Sequence, residues 1–64
     1  MVTINGKQTQ AEGKTLADYL AEAGYDLKRI AVELNGEIVP KATFPDVVLK
    51  EGDVVEIVSF VGGG

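Results

Sequence analysis

Val54-Val55-Glu56-Ile57-Val58-Ser59-Phe60-Val61 is the longest apolar, β-branched stretch in the chain, and it runs directly into Gly62-Gly63-Gly64. Side chains alternate across a strand, so Val55 and Ile57 share one face while Glu56, Val58 and Phe60 share the other. The stretch is expected to be the last and strongest strand, with Val55 and Ile57 turned toward a helix. Upstream, Glu51-Gly52-Asp53 reads as the turn that leads into it.

The elements before that strand fall into place by the same reasoning. Val2-Thr3-Ile4 alternates, and Asn5-Gly6 supplies the favoured two-residue hairpin turn. Lys7 to Ala11 is expected to return as a second, more polar strand. Thr15 is a suitable N-cap with Asp18 three residues on, a capping-box-like pair. Leu16, Tyr19, Leu20 and Ala23 then share one helical face, and Gly24 ends the helix. Tyr25 to Arg29 is expected to be a connector that turns Leu27 inward.

Ile30 to Leu34 forms the next strand, with Val32 and Leu34 opposite Glu33. Asn35-Gly36 is a second turn, followed by the short run Glu37-Ile38-Val39. Pro40 ends that run because it donates no ladder hydrogen bond. Lys41 to Leu49 is expected to be irregular, pinned to the core by Phe44-Pro45. Strand, strand, helix, strand, short strand, strand is the order of an α+β, β-grasp (ubiquitin-like) fold. Its mixed sheet of about five strands would carry one main helix on one face. Residues 1–61 are assigned to this domain and residues 62–64 to a flexible C-terminal tail.

Composition narrows the function. A chain of 64 residues buries only about 60% of its unfolded surface, which leaves no room for both a core and a deep pocket. Neither cysteine nor histidine is present, so the usual zinc ligands, the thiol nucleophile and the commonest general base are missing. No dense acidic loop suggests a metal site of oxygen ligands. An enzyme acting alone is therefore not expected, nor is a bound cofactor or metal. A net charge of -4 opposes binding to nucleic acid or to anionic membranes. It suits a protein partner with a basic docking face. Apolar runs are too short to span a bilayer, and no signal region follows Met1, so a cytoplasmic location is expected.

The remaining candidate for chemistry is the tail. Three glycines alone fit a flexible remnant. Glycine, however, lacks a Cβ and can thread a slot that admits no other residue. A carboxylate on Gly64 would stand at the tip of a lever projecting from a rigid strand, and no other reactive group competes with it. Without cysteine, sulfur can still be held as a terminal thiocarboxylate, provided a partner that binds ATP first activates the carboxylate as a mixed anhydride with AMP. No phosphate-binding GxxxxGK[ST] loop occurs in this chain.

Ordering three glycines costs on the order of 3–6 kcal/mol, so a second docking surface on the folded body is expected. Val58 and Phe60, beside the tail, are candidates for it. Phe60 fits equally a fold-back onto the core. Tyr19 and Phe44 read as core residues and Lys28-Arg29 as a solvated pair. Asp46, Glu51 and Asp53 read as solvated turns, and Asn5 and Asn35 as turn residues alone.

The sequence resembles the thiamine-biosynthesis sulfur carrier proteins, the ThiS family, over essentially its whole length. The resemblance is carried by residues 2–6, Thr15-Leu16-Ala17-Asp18-Tyr19-Leu20, residues 31–40, and the run from Leu49 through Gly52-Asp53 to Gly64. It implies that an E1-like adenylyltransferase, using ATP, adenylates the terminal glycine. A sulfur donor such as a cysteine desulfurase would then allow conversion to a thiocarboxylate. Thiazole synthase would receive the sulfur. By position, Gly64 would hold the activated carbonyl and Gly62 and Gly63 would thread. The adenylate and thiocarboxylate would be transient covalent states. A molybdopterin-synthase-like small subunit shares the fold and the chemistry, and a plain β-grasp interaction module needs neither.

Overall fold

The computed structural model describes residues 1–60, which form in order β1 (Val2–Ile4), β2 (Lys7–Thr9), helix α1 (Leu16–Glu22), β3 (Ile30–Leu34), β4 (Glu37–Ile38) and β5 (Val54–Ser59). The five strands make one mixed sheet in the order β2-β1-β5-β3-β4. The last strand therefore occupies the centre. β1 pairs with it in parallel, placing Thr3 opposite Val54, and β3 pairs antiparallel from Ile30–Ser59 to Leu34–Val55.

Both hairpins follow from their turn residues. Asn5 and Gly6 have φ of 49° and 83°, and Asn35 and Gly36 have 51° and 87°. Two successive left-handed residues match the right-handed twist of the flanking strands, and Asn followed by Gly tolerates them best. At the start of α1 the Thr15 side chain accepts from the Asp18 N–H at 3.1 Å, filling one of the orphan donors. At its end Gly24 is left-handed (φ 86°). The Tyr25 N–H then reaches the Leu20 carbonyl and the Gly24 N–H reaches that of Ala21, which is a Schellman cap.

The core lies between α1 and one face of the sheet. Leu16 and Leu20 pack among Val2, Ile4, Ile30, Val32, Val55 and Ile57, all buried. Phe44, 2% exposed, and Leu49 belong to the same cluster. Each fully buried side chain of this size contributes about 1.5–3 kcal/mol.

The structure departs from the sequence expectations at several places. β2 stops at Thr9 because its only partner, β1, is three residues long. Ala11 is buried all the same, outside any strand. Leu27 does not turn inward but is 37% exposed, in a short 3-10 helix (Leu27–Arg29) capped by the Asp26 carboxylate. Ala23 is exposed, being the C-cap rather than part of the buried stripe. Residues Lys41–Asp46 are not irregular: they form a 3-10 helix that delivers Phe44 to the core and leaves Pro45 exposed. β5 ends at Ser59, and Val61 lies outside the described residues.

Candidate functional site

The sheet has one covered face and one bare one, and the pairing of strands determines what the bare face shows. On β5, Val55 and Ile57 are buried against α1 while Val54, Glu56 and Val58 point away, as alternation requires. Directly opposite residues on paired strands share a face. Val58 therefore stands beside Ala31, and Glu56 beside Glu33, which stands in turn beside Ile38. The result is a face with three well-exposed apolar side chains: Ile38 (75%), Val58 (61%) and Val54 (42%).

Phe60 extends this surface past the end of β5. Its N–H donates to the Arg29 carbonyl at 2.8 Å, so the backbone remains tied to the sheet for one residue beyond the strand. Its ring is 48% exposed, with the Lys41 ammonium 6.0 Å from the ring centroid. Of the two options for Phe60, the core one is excluded: the side chain does not fold into the buried cluster. Gly62, Gly63 and Gly64, the sulfur-carrying tail expected from the sequence, lie outside the described residues. The structure brings Val58 and Phe60 to the strand that leads to them.

Two residues of the bare face escaped the sequence reading. Val54 shares the alternation of Glu56 and Val58, a signal that was available. Ile38 is assigned to this face by the register of β4 against β3, which no local pattern reveals. Elsewhere the expected surface roles hold in part. Arg29 is exposed and pairs with Asp26 at 3.4 Å. Asp53 does more than occupy a turn: its carboxylate accepts from the Lys50 N–H at 2.9 Å and the Asn35 side chain at 3.1 Å. Asn5 and Asn35 likewise do more than turn, since each uses its side chain to hold β5.

The described body offers little to chemistry. Among the described residues no group of three or more His, Cys, Asp or Glu could hold a metal ion, and no polar or charged residue is buried. Burial pushes the Tyr19 hydroxyl further above its ordinary range, so it is no base at neutral pH. Among the described residues no helix is long and apolar enough to cross a membrane.

A mixed five-stranded sheet grasping one helix, with its last strand central, is the β-grasp or ubiquitin-like class. Residues 2–64 match the ThiS family. The chain is 47% identical to the sulfur carrier protein ThiS of Thermus thermophilus over 64 residues, covering all of both. It also resembles, at 42% identity, part of a thiazole synthase from Paramagnetospirillum magneticum, where it covers 98% of itself and 20% of that protein. Among solved structures, the thiamine biosynthesis protein ThiS of Geobacter metallireducens superposes with a TM-score of 0.79 at 36% identity, covering 98% of this chain and 97% of that one. The chain belongs to the ThiS family. These are small sulfur carriers of thiamine biosynthesis, and the protein is a carrier rather than an enzyme.

Proposed function

We propose that the carboxylate of Gly64 is the sulfur-carrying group, loaded in two steps by partner enzymes. In the first, an E1-like adenylyltransferase brings the carboxylate oxygen to the α-phosphorus of ATP, and pyrophosphate leaves. A carboxylate is a poor electrophile because its charge is delocalised, and acylation of AMP supplies the leaving group it lacks. In the second, a sulfur nucleophile from a donor such as a cysteine desulfurase attacks the carbonyl and AMP departs. The donor's persulfide is then joined to the tail as an acyl disulfide. A thiol reductant cleaves its S–S bond, freeing the donor's cysteine thiol and leaving the terminal thiocarboxylate. Thiazole synthase then receives the sulfur in the cytoplasm.

The observation that carries this reading is the placement of β5. A central strand held on both sides by its neighbours leads directly to residues 61–64, with Val58 and Phe60 exposed beside it. A partner that grips this surface has a rigid reference from which to draw the tail into a narrow channel, with Gly62 and Gly63 in the slot. Docking on the body also offsets the entropy of ordering the glycines, about 1–2 kcal/mol each. The similarity of the whole domain to a fifth of a thiazole synthase chain supports thiazole synthase as the acceptor, because it puts a domain of this kind in one polypeptide with that enzyme.

ATP–pyrophosphate exchange catalysed by the adenylyltransferase tests the first step. Exchange should depend on the carrier and vanish when Gly63 and Gly64 are removed. Exchange that persists with the shortened carrier would refute the assignment of Gly64.

A further inference from the structure

On the bare face of the sheet Glu33 and Glu56 stand directly across from each other on β3 and β5. Opposite side chains in an antiparallel pair have Cβ atoms roughly 4.5–5.5 Å apart, and like charges there are destabilising. Nothing in the described protein relieves the pair, since neither carboxylate takes part in an ion pair among the described residues. Of the lysines and arginines, Lys41 stands at the Phe60 end of this surface, with its ammonium 6.0 Å from that ring, and it pairs with neither carboxylate. Ile38 flanks Glu33 across the sheet, and Val54 and Val58 flank Glu56 along its strand.

We propose that this face receives a basic side chain of the activating enzyme, an arginine or lysine seated between Glu33 and Glu56 and surrounded by apolar contacts to Ile38, Val54 and Val58. The proposal rests on the carrier reading above, in which an adenylating enzyme takes up the tail. The occupant is taken as the activating enzyme because it is the first to take up the tail, and the strand that carries Glu56 and Val58 also leads to Phe60 and the tail. Docking apolar groups on Ile38 and Val58 strips water from the two carboxylates, and that desolvation is costly unless a charge of opposite sign replaces the water. A guanidinium, with five donors in a planar fork, can bond both carboxylates at once. The net charge of -4 favours the same sign of partner over longer range.

The test is titration of the thiamine-pathway adenylyltransferase with the full-length carrier by calorimetry at low and high salt. The wild type is compared with the double variant Glu33→Gln, Glu56→Gln, and both are also melted thermally. The melting temperature of the variant should stay the same or rise, because a repulsion is removed. Its Kd should increase about tenfold or more, and the salt dependence of binding should shrink. Unchanged affinity and salt dependence would overturn the proposal while leaving Gly64-dependent adenylation intact. A lowered melting temperature would overturn it also, by giving the carboxylates a structural role. Failure of the wild-type carrier to bind or be adenylated would overturn both this proposal and the carrier reading beneath it.

Discussion

The side chain of Asn5 bonds both backbone groups of Ile57: its Nδ2 donates to the carbonyl at 3.1 Å and its Oδ1 accepts from the N–H at 2.6 Å. The backbone bonding of β1 to β5 ends with the Asn5 N–H on the Val55 carbonyl at 2.9 Å, so the amide carries the ladder two residues further along β5, to Ile57. Asn35 acts similarly from the other hairpin, accepting from the Val54 N–H at 2.9 Å. The central strand is thus held by both turns as well as by both neighbours.

Asn5→Asp separates the turn role from the clamp. Aspartate tolerates the left-handed backbone and still accepts from the Ile57 N–H, but it presents an acceptor to the Ile57 carbonyl. Urea denaturation should show a loss of about 1–3 kcal/mol. A loss below about 0.5 kcal/mol would mean that the side-chain bond to the carbonyl contributes nothing.

Phe44→Ala probes the one large side chain supplied by the 3-10 helix. At 2% exposure it fills the core cluster, and its removal should cost about 3–5 kcal/mol. In a domain this small that is a large part of the total stability. Circular dichroism should show a much lower melting temperature, and a melt close to wild type would contradict the packing described.

Phe60→Asp addresses the docking surface. With the ring half exposed, stability should change by no more than about 0.5 kcal/mol. The kcat/KM for adenylation should fall, because an exposed aromatic anchor is replaced by a charge. Unaltered adenylation kinetics would remove Phe60 from the interface.

Gly63→Val asks whether the tail enters a narrow slot. The substitution lies beyond the described strands, so the melting temperature should be unchanged while adenylation is blocked. Normal adenylation of this variant would show that the channel accommodates a branched side chain.

Much of this was legible in the sequence wherever a local rule decided the structure. The two Asn-Gly pairs announced their hairpins, Thr15 and Gly24 bounded the helix, and alternation along β5 sorted Val55 and Ile57 from Val58 and Phe60. What failed was structure without a period of two or of about four. The 3-10 helices at Leu27–Arg29 and Lys41–Asp46 have three residues per turn, so neither shows in a helical or strand pattern and Leu27 was turned the wrong way, although Phe44 was correctly read as core. Register between strands distant in sequence was equally hidden. The opposition of Glu33 to Glu56, and the placement of Ile38 beside them, depends on how β3 and β4 slide against their neighbours. The glycine tail is conspicuous because composition alone marks it, and a chain with neither cysteine nor histidine leaves its terminal carboxylate without a rival for chemistry.

The central claim is that Gly64 carries sulfur, and intact-mass spectrometry tests it most directly. The carrier is incubated with ATP, the adenylyltransferase and a sulfur source, beside a control lacking Gly63 and Gly64. A gain matching the replacement of one oxygen by sulfur, confined to the full-length chain, is the expected result. No gain, with an adenylyltransferase shown to be competent on another carrier of this family, would contradict the account.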